Sequence, residues 1–330
     1  MKLQLNWSPL GIVKAVLGLV LTVVFGWLIV RNVSGKDVYA AFAHTNWSTL
    51  WLMIVVISAG IVARAARWWV LLRARDPAFT LSAALWPFIM AIGLNNILPF
   101  RAGDISRLFS LRNPKLPPAY LAGTMIIERI FDLLALALIF YFTLTLAHIQ
   151  ISELLLRLGR LATGTVAVCI LGVAVLARFE EALLGKLRSL PFVSRSRPIL
   201  MLLDKVGEVI GALSSIKSMG RLAGLLGLSL LGWLLEGVFY YLVVAATGTL
   251  GGVPAALIAL CVATLSTALP SAPGYVGTFH YFAAQAVMAF GTSQAVAVVY
   301  ALVTHSLMWL VTTAPLLVLV PKQFFSRKKP

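Results

Sequence analysis

Six ionisable residues stand where an apolar chain has least use for them. Arg101, Asp104 and Arg107 follow one another at three-residue spacing after a Pro- and Gly-bearing break, and Glu128, Arg129 and Asp132 fall within five residues of each other in a long apolar run. An Arg or Asp at the centre of a membrane span costs about 2.5–3.5 kcal/mol on insertion scales, so it marks a function or a buried partner. Arginine offers a planar, permanently charged fork that fits phosphate oxygens. A helix opening near Gly103 would add N–H groups at the break, where an anion is favoured again. That chemistry suits an anionic headgroup. The competing reading is a cytoplasmic loop whose arginines only obey the positive-inside rule. On a helix, Asp104 can pair with Arg107, and Arg129 with Asp132. Glu128 and Asp132 share one face, and their trio is net negative. It therefore suits balancing Arg101 or Arg107 better than holding a phosphate alone.

Two further groups carry chemistry. Glu236 stands alone between Leu235 and Gly237. Either it pairs with Arg64 or Arg67, or it is an unpaired buried carboxyl of raised pKa and a candidate proton carrier. The two arginines can instead snorkel to the inner surface beside Trp68 and Trp69. The second group is a break at Pro270, Pro273, Gly274 and Gly277, followed by His280 and, further on, His305. It has the makings of a gate, with Glu236 and His305 as candidate coupling groups. The histidines read first as packing residues. Two of them, with no carboxylate or cysteine nearby in sequence, do not make a metal site.

The elements that position these residues follow from composition. The chain is 60% hydrophobic and 12% charged, with a mean hydropathy of +0.95, which excludes an ordinary soluble domain. It reads as an all-α polytopic membrane protein, without the ten-residue alternation of a membrane β-barrel. The net charge of +16 lies between apolar spans, so nucleic acid is not the expected partner. Cys169 and Cys261 sit in apolar runs as small core residues. The first apolar run has no small-residue cleavage site and reads as an anchor.

Long apolar runs cover 14–30, 49–72, 118–147, 161–177, 222–247 and 294–320. Segments 81–112 and 254–290 are apolar but broken, and are read as re-entrant helical hairpins. The alternative is eight full spans. With a cytoplasmic N-terminus, 22 of the 27 Lys and Arg fall inside and four outside, which places both termini in the cytoplasm. The first hairpin then enters from the cytoplasm and the second from outside. Leu98-Pro99 with Gly103 and Leu269-Pro270 with Gly274 repeat one frame 171 residues apart. That shift lays 49–72 over 220–243, hairpin over hairpin, and 118–147 over 289–318. Halves 1–150 and 151–330 thus form an inverted-topology repeat, whose paired breaks point to a transport site. Between them, 178–221 carries Leu202, Val206, Val209, Leu213 and Ile216 at helical spacing. It reads as an amphipathic helix on the inner surface, or simply a connector.

These motifs carry a resemblance. Arg101-Ala-Gly-Asp104-Ile-Ser-Arg107 resembles the Arg-x-Gly-Glu/Asp-x-x-Arg motif of the lysylphosphatidylglycerol synthase membrane region, a flippase-like family. Glu128-Arg129-Ile-Phe-Asp132 resembles its Glu-Arg-x-x-Asp motif. Pro270-Ser-Ala-Pro273-Gly274-Tyr-Val-Gly277 resembles its Pro-x-x-Pro-Gly-x-x-Gly motif. The resemblance covers residues 10–320 and implies movement of an anionic or phosphate-bearing lipid, or a polyprenyl-linked one, between leaflets of a prokaryotic cytoplasmic membrane. Aminoacyl transfer belongs to a separate cytosolic domain of bifunctional members and is not carried over. His280 stands where the family commonly has an acidic residue. Relatives accompany glycosyltransferase pathways, so the alternative is a non-transporting partner of a glycosyltransferase or lipid-modifying enzyme. No phosphate-binding loop, HExxH or Ser-His-Asp pattern is present, and neither catalysis nor a cofactor is expected.

Overall fold

In a computed structural model, residues 9–326 are described except 99–100, 112, 148–152, 195, 215–217 and 270. The described residues form helices joined by turns: α1 (Pro9–Val30), α2 (Gly35–Ala43), α3 (Leu50–Arg73), α4 (Leu81–Ile97), α5 (Ala102–Ser110), α6 (Pro118–Ala147), α7 (Glu153–Ser189), α8 (Pro191–Ser194), α9 (Arg197–Ser214), α10 (Met219–Thr247), α11 (Gly252–Ser266), α12 (Thr278–Met288) and α13 (Gln294–Ser326). Lipid offers no partner for backbone N–H and C=O groups, so a chain this apolar closes its hydrogen bonds within helices. Segments Trp47–Arg73, Met219–Thr247 and Gln294–Val318 are each long and apolar enough to cross a bilayer. A fourth passes the same test if Val16–Val30 is joined to Gly35–Ala43 across an 80° bend.

The outer faces of these helices stay apolar: Trp51, Val55 and Val62 on α3, and Leu231, Leu234 and Val238 on α10, are all exposed. Their inner faces use small residues to approach closely. Where α3 crosses α10, a Cβ added to Gly60 would lie 3.2 Å from the Gly232 carbonyl oxygen.

Both interrupted segments fold as hairpins. Thr80 caps α4 by accepting a hydrogen bond from the Ala83 N–H. Past the first break, α5 returns along α4 so closely that a Cβ on Gly103 would stand 2.1 Å from the Ala91 carbonyl oxygen. Only glycine fits there. In the second hairpin, the start of α11 meets the end of α12, where Gly251 faces the Phe290 ring. These four helices have 9 to 17 residues and rise about 13–26 Å at 1.5 Å per residue, short of a hydrocarbon core of about 30 Å.

In the amphipathic segment helix α9 forms, and its C-terminal end is clamped to α6, as suits the connector reading. Ile210, Ala212 and Leu213 are buried, and a Cβ on Gly123 of α6 would sit 2.6 Å from both Ala212 and the Val209 carbonyl oxygen. Leu202 and Val206 stay exposed at the other end. Arg75–Glu208 and Arg188–Asp204 ion pairs tie α9 to the end of α3 and to α7. Of the two cysteines, Cys261 is buried as expected. The side chain of Cys169 lies outside the described set.

The turn after α3 is tied to the α5–α6 segment through Asp76. Its carboxylate accepts from Asn113 Nδ2 at 2.8 Å and Lys115 Nζ at 3.2 Å. These bonds, the Asn113 one first, hold the carboxyl below its usual range. A carboxyl depressed in the folded state stabilises fully above its unfolded value near 3.9, and that contribution is lost as pH falls through the folded value. Asp76→Asn should therefore melt a few degrees below wild type in detergent at pH 7. The gap should close as pH drops below 4.

Candidate functional site

The two breaks meet. The first tip joins α4 to α5, and the second spans residues 267–277 between α11 and α12. Arg101, at the N-cap of α5, adopts the left-handed conformation (φ 52°), as does Tyr275 (φ 59°). They are the two non-glycine residues of positive φ among the described residues, and the Arg101 guanidinium lies 5.8 Å from the Tyr275 ring centroid. Arg101 Nη2 also donates to Thr267 Oγ1 at 2.9 Å. A left-handed non-glycine residue costs about 1–2 kcal/mol, and such strain concentrates at functional sites.

Neighbouring helices hold both tips. Asn96 Nδ2 donates to Thr312 Oγ1 at 2.7 Å and Thr313 Oγ1 at 2.9 Å, anchoring the first tip midway along α13. Thr22 of α1 holds the second: its hydroxyl donates to the Val276 carbonyl at 3.0 Å and accepts from the Ala272 N–H at 3.1 Å. Gly277 (φ 85°) packs where a Cβ would stand 2.5 Å from the Thr22 carbonyl oxygen. Gly274 (φ 73°) faces the Asn96 carbonyl and the Trp309 indole.

Beside the tips lies a cavity of about 220 Å³ whose wall carries Arg64, Arg67, Arg101, Arg107 and Arg129 together with Asp104, Glu128, Asp132 and Glu236. Four arginines have carboxylate partners. Arg64 pairs with Glu236, linking α3 to α10. Arg67 Nη1 donates to Asp132 Oδ1 at 2.6 Å and to Ser229 Oγ at 2.8 Å, with Glu128 3.8 Å away. Arg107 Nη2 donates to Glu128 Oε2 at 2.6 Å, its guanidinium 4.1 Å from the Trp68 ring and 4.8 Å from the Phe88 ring. Arg129 Nη2 donates to Asp104 Oδ2 at 3.1 Å and lies 3.7 Å from Asp132. Among the described residues Arg101 has neutral partners only. Counted over the described residues, the cavity thus holds one cation more than anions, and among them the buried Nε–H groups of Arg64, Arg67 and Arg107 have no acceptor.

Several partners differ from those the spacing suggests. Asp104 and Arg107 do not pair, because α6 presents an opposite charge to each of them. Asp104 is also held by Asn95, whose side-chain oxygen accepts the Asp104 N–H at 3.1 Å while its Nδ2 donates to Oδ1 at 3.0 Å. The first turn of α5 is therefore partly engaged. Arg67 does not snorkel; it is 2% exposed and lies at the centre of the network. Glu236 is ion-paired, so the unpaired-carboxyl alternative does not hold. His305 lines the cavity, and its Nδ1 lies 3.2 Å from His280 Nε2. His280 Nδ1 in turn accepts the Gly277 N–H at 3.3 Å. His280, Pro273, Gly274 and Gly277 shape the second tip instead of lining the cavity. Pro270 lies outside the described residues.

Sequence reading passed over Thr267, Tyr275 and Trp233. Trp233 donates Nε1–H to Asp132 Oδ1 at 3.0 Å and carries Arg64 at 5.0 Å from its ring. The position of Tyr275 between Pro273 and Gly277, inside the break, was the available signal.

A charged interior cavity between two helical hairpins, enclosed by helices with apolar outer faces, defines an integral membrane protein built around a buried polar site. The model of the family described as the lysylphosphatidylglycerol synthase TM region matches residues 15–315, and the chain belongs to that family. Its function is accordingly lipid-related. No curated protein and no solved structure shows a significant match to the chain.

Proposed function

We propose that the protein is a non-catalytic lipid translocase that moves a phosphate-bearing or polyprenyl-linked lipid between leaflets. The observation that carries this reading is the charge balance of the cavity. Four of its arginines are matched by carboxylates, and Arg101 remains at the meeting point of the two tips. Arg101 is partly buried with no counterion beside it among the described residues, and an anionic headgroup supplies the missing charge. Arg107, which the sequence also suggested for the headgroup, is assigned with Glu128, Arg129 and Asp104 to holding α5 on α6, and Asp132 to holding Arg67 of α3.

In this proposal the first hairpin enters from the cytoplasm and the second from outside, and both termini are cytoplasmic. The inverted repeat is supported by the α3–α10 crossing, where Gly60 meets Gly232 and Arg64 meets Glu236, each pair 172 residues apart. Rocking of one half against the other around the joined tips gives alternating access. The second tip, braced by Gly274, Gly277 and the His280–His305 contact, forms the opposing gate.

Purified protein should retain phosphatidylglycerol over phosphatidylethanolamine from a mixed micelle, by roughly tenfold or more in native mass spectrometry. Equal retention would contradict the headgroup site. It would favour a non-transporting membrane partner of a lipid-modifying enzyme or glycosyltransferase.

A further inference from the structure

We infer that the hydrocarbon chains of the bound lipid leave the cavity sideways, through an apolar groove between α3, α4 and α13. This inference rests on the proposed translocase reading and adds to it the path of the chains. The groove, about 110 Å³, is lined by Ser58 and Val62 of α3, Ile89 and Ile92 of α4, and Val311 and Thr312 of α13, among others. Ile92 and Thr312 also line the charged cavity, so the two spaces adjoin through a common wall. At the other end Val62 is 43% exposed, on the apolar face of α3 that also exposes Val55. The groove therefore runs from the outer side of the headgroup cavity's wall, at Ile92 and Thr312, to the lipid-facing surface.

Its chemistry suits hydrocarbon. The two hydroxyls on its wall are already engaged: Ser58 donates to the Ile54 carbonyl at 2.7 Å, and Thr312 donates to the Met308 carbonyl at 2.7 Å while accepting from Asn96. A polar ligand would find no free donor in either. The packing beside it is tight, since a Cβ on Gly93 of α4 would lie 2.7 Å from the Thr312 carbonyl oxygen. This closed α4–α13 contact is the wall between groove and cavity, and the chains pass where Ile92 and Thr312 give way.

An amphiphile bound by its phosphate keeps its chains in an apolar medium, because each methylene left in a polar space forfeits about 0.8 kcal/mol. A cavity crowded with nine charged side chains cannot hold two long chains. The adjoining apolar exit lets them stay in the bilayer while the headgroup sits against Arg101. The ligand class is then a long-chain lipid with an anionic headgroup, read at the head and not along the chain.

Ser58→Trp and Val62→Trp narrow the groove without altering any residue of the charged cavity. Val62 is surface-exposed, so a Trp there is tolerated by the fold even if Ser58→Trp is not. Retention of dioleoyl phosphatidylglycerol and of its dibutanoyl analogue would be compared by native mass spectrometry. Both variants should lose the dioleoyl lipid by roughly tenfold while keeping the dibutanoyl analogue within about twofold of wild type. Dioleoyl retention equal to wild type would overturn the portal and leave the headgroup site standing. Loss of both lipids by folded protein would also overturn it, since the cavity and not its exit would have been disturbed. Failure of the wild type to retain either lipid would overturn the translocase reading itself.

Discussion

Glu128→Ala should destabilise the protein by about 3–5 kcal/mol, the range for removing one partner of a buried ion pair. Glu128 is 2% exposed and faces two arginines that are no more exposed than itself. Its loss leaves Arg107 between Trp68 and Phe88 with no counterion, and Arg67 dependent on Asp132 alone. Both cations would remain buried, because α3 and α5 are fixed by packing elsewhere. The penalty comes from exposing that imbalance, so removing both charges should recover most of it. A buried pair replaced by apolar groups of similar volume is often neutral. The double variant Arg107→Met/Glu128→Leu should therefore melt well above Glu128→Ala in detergent, and the cycle should show strong coupling. If Glu128→Ala melts like wild type, Arg67 and Arg107 do not depend on Glu128 for their charge balance.

Arg101→Gly should separate folding from function. Arg101 donates to the Thr267 hydroxyl and, at 3.5 Å, to the Thr267 carbonyl, charge-assisted contacts worth about 1.5–3 kcal/mol together, and lies against Tyr275. Against this, its left-handed backbone costs about 1–2 kcal/mol, a strain that glycine does not feel. The two effects largely offset each other, so Arg101→Gly should unfold within about 2 kcal/mol of wild type. Binding should behave otherwise. A hydrogen bond to a charged group contributes about 1.5–3 kcal/mol, so affinity for an anionic lipid should fall by roughly ten- to a hundredfold. Arg101→Lys keeps the charge but loses the fork and should fall between. A large loss of stability in Arg101→Gly would mean that the residue braces the tips and does not serve a ligand.

Much of the fold was legible because the membrane simplifies the rules. Apolar runs had to be helices, and Pro99, Gly103, Pro273 and Gly274 marked where they stopped. The described hairpins, Leu81–Ser110 and Gly252–Met288, fall within two residues of the expected ends. Charges inside spans had to have partners, and that singled out the residues now found around one cavity. The choice of partner was not legible. Helical spacing allowed Asp104 to meet Arg107, but Arg129 and Glu128 compete from α6, and no local pattern reports what lies across an interface. Arg67 illustrates the same gap: from sequence it resembles any arginine near a span end, and only the arrival of Asp132 and Ser229 from two other helices buries it. Helix α9 showed its periodicity but not its dock, since Gly123 gives no sign of which helix it admits. Tyr275 was hidden for another reason. Its left-handed backbone is imposed by the tip around it, and tyrosine carries no propensity for that conformation.

The most direct test of the central claim is transbilayer movement of fluorescent phosphatidylglycerol and a polyprenyl phosphate in proteoliposomes, comparing wild type with Arg101→Gly at equal insertion. Movement of at least one lipid by wild type, lost in the folded Arg101→Gly protein, is the predicted result. Movement at the same rate in both would contradict a headgroup site at Arg101, and movement in neither would contradict a translocase.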